Sequence, residues 1–293
     1  MKKRILDIVV ISDVHLGNPA CHAEELLAYL SSIQPKTLVL NGDIIDVWNV
    51  KENYFPPSHL NVLRKIISMA AKGTEVYYIV GNRDETMENF IGTGMGNIHI
   101  VNKLVLNLDG KRAWFFHGAL FDGTLPKAKW FAHLGSFGFS VLKTLKRWCN
   151  RVFLKLGREG YALADMSNGE IQKNRVDSAL FEATVVDLAL DKHYDQVICG
   201  HVHLPKKEII EHRKGTCTYL NSGDWVEHLS ALEYSFKRWK LYRYHNDKLS
   251  PFYMDEELKE MDIHEIVSNL TDPQDADDQT IPAPYPPQED TED

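Results

Sequence analysis

The chain is poor in cysteine, with four in 293 residues at positions 21, 149, 199 and 217 and no paired spacing among them. That argues against a disulfide framework and favours a reducing compartment; Cys199, inside an apolar run, reads as a buried thiol. No apolar run is long enough to cross a bilayer as a helix. Lys2-Lys3-Arg4 before an apolar stretch imitates a secretory signal. Asp7 breaks that stretch, and Asp13 and His15 stand where a cleavage site would fall, so it reads as a first strand. There is no internal repeat, and no collagen or coiled-coil pattern. Base is not in excess either: Lys and Arg number 33 against 41 Asp and Glu. An acidic chain of this kind disfavours nucleic acid as a partner.

The acidity is localised. Residues 271–293 hold eight acids, five prolines and no Lys or Arg. Without them the chain has 33 acids against 33 bases, so the body is neutral. The tail reads as a disordered acidic appendage, too poor in apolar area to offset the cost of ordering.

What is present is a globular body, 44% hydrophobic and 25% charged. Apolar, β-branched runs at 5–11, 37–40, 76–80, 113–116 and 196–199 read as buried strands. Helical periodicity covers 23–30, 60–71 and 169–190. After His203 short strands are predicted at 208–211, 217–220, 230–234 and 238–244, with turn residues between them. The expected organisation is a single domain over 1–250, a helical extension over 251–270 and the tail. Residues 126–160 stand apart, with eight bases against the single acid Glu159 and with Trp130, Phe131, Phe137, Phe139, Trp148 and Phe153. Two readings fit that stretch: a helical insertion with a solvated basic face, or a surface that meets something anionic and apolar such as lipid headgroups.

Five short motifs each follow one of the five apolar runs. They are Asp13-Val14-His15, Gly42-Asp43-Ile44-Ile45-Asp46, Gly81-Asn82-Arg83-Asp84, His117-Gly118 and Gly200-His201-Val202-His203. Asp-x-His alone means nothing: two more copies, Asp191-Lys192-His193 and Asp262-Ile263-His264, sit away from strand ends. Gly-His-x-His is expected only about 0.04 times in a chain of this composition, so its presence in register with the others is informative. Ligands bind outside the carboxyl ends of strands in α/β sheets, so the five loops are expected to converge. Carboxylate, imidazole and amide oxygen together suit Mn, Fe(II) or Zn better than Ca. Two such ions can clamp a phosphoryl oxygen during in-line displacement.

This order of motifs resembles the calcineurin-like metallophosphoesterases over roughly residues 5–239. The resemblance implies an α/β fold of four layers, a β-sandwich flanked by helices, with a helical insertion. It implies two divalent ions, Mn2+ foremost with Fe or Zn as alternatives. One would be held by Asp13, His15, Asp43 and His203, the other by Asp43, Asn82, His117 and His201, with Asp43 bridging. Asp46 would stand behind them and orient a ligand histidine. The catalytic set would be Asp43, Asn82, Arg83 and His117.

At Arg83 most relatives carry a histidine that serves the leaving group. A guanidinium cannot give up a proton at working pH, but it can grip phosphate oxygens in bidentate fashion. That favours a leaving group needing no proton, such as a phosphate, and hence a pyrophosphate substrate. Gly-Asn-Arg-Asp and a basic, aromatic insertion resemble the UDP-2,3-diacylglucosamine pyrophosphohydrolases of lipid A synthesis. In them the insertion caps the site at the cytoplasmic face of the inner membrane and UMP is released. Asn221-Ser222-Gly223-Asp224-Trp225 points to a paralogous branch, and Ala119 replaces a common Asp, a place Asp122 can partly fill. Lys173 and Arg175 are candidate phosphate or sugar contacts, with a solvated helix face as the plain alternative. The remaining histidines, His22, His59, His99, His133, His193, His212, His228, His245 and His264, read as surface or capping residues. Two other functions compete: the same chemistry on another nucleotide diphosphate or phosphodiester, and a metal-free scaffold that kept the fold.

Overall fold

The computed structural model describes residues 3–46, 54–119 and 168–247, except the side chains of 168–177. Asp122, the 126–160 insertion, the 251–270 extension, the acidic tail, and the side chains of Lys173 and Arg175 lie outside that description.

The strands are β1 (Arg4–Ile11), β2 (Ile33–Asn41), β3 (Glu75–Ile79), β4 (Gly94–Met95), β5 (Ile98–Val101), β6 (Leu104–Leu108), β7 (Lys111–Phe115), β8 (Gln196–Cys199), β9 (Lys206–His212), β10 (Gly215–Asn221), β11 (Ser230–Ser235) and β12 (Arg238–Arg243). The helices are α1 (Ala23–Ser32), α2 (Pro57–Ala71) and α3 (Asn168–Asp191), with a 3-10 turn at Glu85–Phe90. Two sheets form, in the orders β12-β11-β1-β2-β3-β5-β4 and β6-β7-β8-β10-β9. In β1, Ile8 and Val10 point between the sheets and meet Phe115, Ile198, Leu220 and Trp239. Val9 and Ile11 point the other way, onto Leu26, Leu30, Val62 and Ile66 of α1 and α2. A strand covered on both faces reads as one continuous apolar run, which is why alternation is invisible here. On the far side, Phe181, Val185, Val186 and Ala189 of α3 pack on Val197, Cys199, Cys217 and Tyr219. The result is the four-layer α/β sandwich, with Cys199 a fully buried thiol.

The differences from expectation have physical causes. β2 starts at Ile33 rather than 37, running straight through Pro35. There only β1 pairs with it, since pairing with β3 begins at Thr37, so the missing N–H of proline breaks no second ladder. β4, β5 and β6 were not foreseen. Among the histidines read as surface or capping residues, His59 is buried and its Nδ1 accepts the Gly17 backbone N–H at 2.8 Å.

Candidate metal centre

Five strands, β1, β2 and β3 parallel in one sheet and β7 and β8 parallel in the other, deliver the five motifs to one place. The turns that follow β1, β2 and β8 are tight enough to force unusual backbone. Asp13, His15, Asp43, His201 and His203 all have φ between 52° and 68°. Each such residue costs of order 1–3 kcal/mol, and strain of this kind persists where the surroundings over-determine it. The turns are locked together by backbone hydrogen bonds: Asp13 N–H to Gly42 O, His15 N–H to Asp43 O and Gly200 N–H to His117 O, all at 3.0 Å. Two glycines make room for the ligands. A Cβ on Gly200 would lie 2.6 Å from Asp13 Oδ2, and one on Gly42, where φ is +83°, would collide with the His117 ring.

Two clusters of ligand atoms result. Asp13, His15 and His203 form one; Asp13, Asp43 and His117 form the other. Their spacings are short: His203 Nε2 lies 3.3 Å from Asp13 Oδ1 and 3.5 Å from His15 Nε2, and His117 Nε2 lies 3.4 Å from Asp43 Oδ2. Asp13 belongs to both clusters, the place that the family resemblance gave to Asp43. His201 stands beside them, its ring 5.1 Å from that of His117, and its N–H donates to Asp13 Oδ2 at 3.0 Å. Asp46 is buried with its carboxylate 4.0 Å from His15 Nδ1. The Arg83 N–H donates to Asp43 Oδ1 at 2.7 Å while its side chain is exposed.

The donors fit a pair of cations. Asp13 Oδ1, Asn82 Oδ1 and His117 Nε2 are buried and have no hydrogen-bond partner. Buried polar atoms left unsatisfied are costly, so three of them on proposed ligands argue for ions that satisfy them. The His117 ring is aimed from behind, where its Nδ1 meets the Asn41 carbonyl at 2.9 Å, leaving Nε2 for the site.

The electrostatics agree. Burial opposes charge on His117, but the adjacent Asp43 and Asp13 carboxylates outweigh it and hold the imidazole up at about 9. Burial likewise opposes charge on His203, and Asp13 and Asp224 lift it to about 10. Burial would raise Asp13 and Asp43, yet the neighbouring histidines hold both below the ordinary carboxylate range. Burial lowers His15, favouring the neutral ring that a metal requires.

Two residues near the site carried no assigned role. Asp84, last in the third motif, is fully buried and accepts from Gly81 N–H at 2.6 Å, Ile44 N–H at 3.0 Å and Tyr78 O–H at 2.6 Å. It ties the second loop to the third, and burial raises its pKa. Asp224 follows β10 and faces His203. Its signal was the one used for the other motifs, an Asp beside a Gly just past an apolar strand.

The chain is similar to several known proteins. A UDP-2,3-diacylglucosamine hydrolase of Ralstonia nicotianae is 27% identical over 246 residues, covering 74% of this chain and 83% of that one. One from Shewanella baltica is 29% identical over 202 residues, covering 68% and 79%. Among solved structures, a dimetal phosphatase from Danio rerio aligns with a TM-score of 0.42 at 11% identity, covering 82% of this chain and 96% of the other. The calcineurin-like phosphoesterase family model matches residues 6–205, a span that contains every proposed metal ligand, and the chain therefore belongs to the calcineurin-like phosphoesterases, hydrolases acting on phosphate bonds.

Proposed function

We propose that this hydrolase cleaves the pyrophosphate of a UDP-linked diacylated sugar, UDP-2,3-diacylglucosamine, to UMP and the sugar 1-phosphate. The observation that carries the substrate is the name shared by relatives spanning most of the chain at 23–29% identity. Arg83 supports it. It stands between Asn82 and the buried Asp84, its main chain held by Asp43 and its exposed guanidinium free to swing toward a diphosphate.

In the proposed ligand set, Asp13, His15, Asp43 and His203 hold one ion and Asp43, Asn82, His117 and His201 the other. Bound divalent ions, Mn2+ in this proposal, would supply Lewis-acid polarisation of the phosphoryl group and a more acidic water. The protein's own contribution is positional. The interlocked left-handed turns fix the carboxylates and imidazoles before substrate arrives, so little reorganisation is needed as charge develops. Arg83 neutralises the departing phosphate, which needs no proton. Residues 126–160, with their bases and aromatics, would bring the enzyme to the cytoplasmic face of an anionic inner membrane, where a diacylated substrate resides.

The test is hydrolysis of UDP-2,3-diacylglucosamine with Mn2+, beside UDP-N-acetylglucosamine and bis-p-nitrophenyl phosphate. Rapid UMP release from the acylated compound alone supports the proposal. Turnover of bis-p-nitrophenyl phosphate without the lipid substrate would keep the phosphoesterase and overturn the lipid assignment.

A further inference from the structure

We propose that Asp224 is a positioning residue that fixes the tautomer and orientation of His203, an inference that rests on the metal reading above. Asp224 is fully buried. Its Oδ1 accepts three backbone N–H groups, from Val226 at 3.0 Å, Glu227 at 2.6 Å and His228 at 2.8 Å. That triple grip leaves the carboxylate no freedom to rotate, so Oδ2 has a fixed direction. Oδ2 faces two imidazoles, His228 Nδ1 at 2.9 Å and His203 Nδ1 at 3.4 Å.

The other nitrogen of His203 points into the site, toward Asp13 and His15. A neutral imidazole that ligates through Nε2 must carry its proton on Nδ1, and a carboxylate beside Nδ1 accepts that proton in a hydrogen bond. Asp224 therefore selects the ligating tautomer of His203.

The same segment holds the rest of that cluster. The Trp225 N–H donates to Asp13 O at 3.1 Å, and the Ser12 hydroxyl meets Ser222 Oγ at 2.6 Å and Gly223 O at 3.0 Å. Asn221 Nδ2 donates to Gly200 O at 2.8 Å. Residues 221–225 thus form a sixth loop of the site, one that contributes no proposed ligand and braces the loops that do.

Asp224→Asn separates orientation from shape. Its oxygen can keep the backbone donors, and its NH2 then replaces Oδ2 and donates toward His203. That favours a proton on Nε2, where a metal needs a lone pair. Mn2+ affinity of the full-length, chelator-stripped protein is to be measured by calorimetry for wild type and variant. The expected result is a loss of about 10–100-fold for the weakened ion, with near-ultraviolet circular dichroism unchanged. Unchanged affinity in a folded variant would overturn the role of Asp224 while leaving the metal centre standing. Absence of Mn2+ binding by wild type would overturn the metal reading and this inference together. Should the variant fail to fold, long-range 15N–1H correlation on the Zn2+-loaded wild type decides: a proton on His203 Nδ1 supports the inference, and one on Nε2 overturns it.

Discussion

Asp13 joins more of the site than any other proposed ligand. One carboxylate oxygen takes the His201 N–H, the other faces His203, the main-chain N–H reaches Gly42 and the carbonyl holds Trp225. Asp13→Asn is expected to lower turnover by more than the roughly 10–100-fold typical of outer-shell partners, since a direct ligand is weakened. Steady-state kinetics on bis-p-nitrophenyl phosphate checks this. Equal turnover by the variant would remove Asp13 from the metal centre. The histidines give a pH prediction. Without metal, His117 and His203 sit at about 9 and about 10, above the ordinary imidazole value. Their contribution to apoprotein stability is therefore complete below about pH 6.5 and is lost as pH rises through the folded values. Metal binding must expel those protons, so Mn2+ affinity should climb about tenfold per pH unit for each ion whose site sheds one proton. Titrations at pH 6.5, 7.5 and 8.5 would reveal it, and a flat profile would contradict it.

At the scale of elements, the loops matter more than the strands that carry them. Gly200 lies so close to the first loop that an added Cβ would meet Asp13 Oδ2 and Ser12 Oγ, both at 2.6 Å. Gly200→Ala is expected to displace Asp13, with bound metal falling sharply while the fold loses only about 1–3 kcal/mol, as overpacking usually costs. Metal analysis beside a thermal melt would separate these effects. Full metal content would show that the loop can yield. The five loops that meet at the candidate site were legible from sequence because each places a short Asp, Asn or His motif directly after an apolar run. Their bracing was not read: Asp224 carried the same signal, an Asp beside a Gly past an apolar strand, but the partners of Asp84 and Asp224, backbone N–H groups together with Tyr78 and His203, are set by the fold and not by spacing. β7 was read as the run 113–116, but its hairpin partner β6 was missed although Asp109-Gly110 forms the turn between them, with φ of 53° and 84°. In β6, Leu104–Leu108, exposed residues alternate with half-buried ones before the buried Leu108, which leaves no buried apolar run to mark the strand. The two-residue β4, which begins with Gly94 and lies between Gly92 and Gly96, has too little side chain to show a period at all.

At the scale of the molecule, two sheets share one core and α3 closes the third apolar layer. Phe181 of α3 is buried there, and its ring lies 6.4 Å from that of His201 and directly under Gly118. Phe181→Ala should cost about 3–5 kcal/mol by opening a cavity, read by chemical denaturation. A loss below 1 kcal/mol would mean that α3 is not seated as described. The buried strands and helices were legible because strands announce themselves by unbroken apolarity and helices by their 3.6-residue period, whereas the four-layer plan was implied by the resemblance that the order of motifs carries. The proposed substrate is less legible, since a diphosphate would need few protein contacts and a lipid half would meet residues beyond the described site.

The proposed function requires metal-dependent cleavage of a lipid-linked pyrophosphate. The decisive measurement is UMP release from UDP-2,3-diacylglucosamine by chelator-stripped enzyme as Mn2+ is restored, with Asp43→Ala alongside. Return of turnover as two ions bind each chain, and its loss in the variant, is the predicted result. Turnover that ignores the chelator, or survives Asp43→Ala, would contradict it.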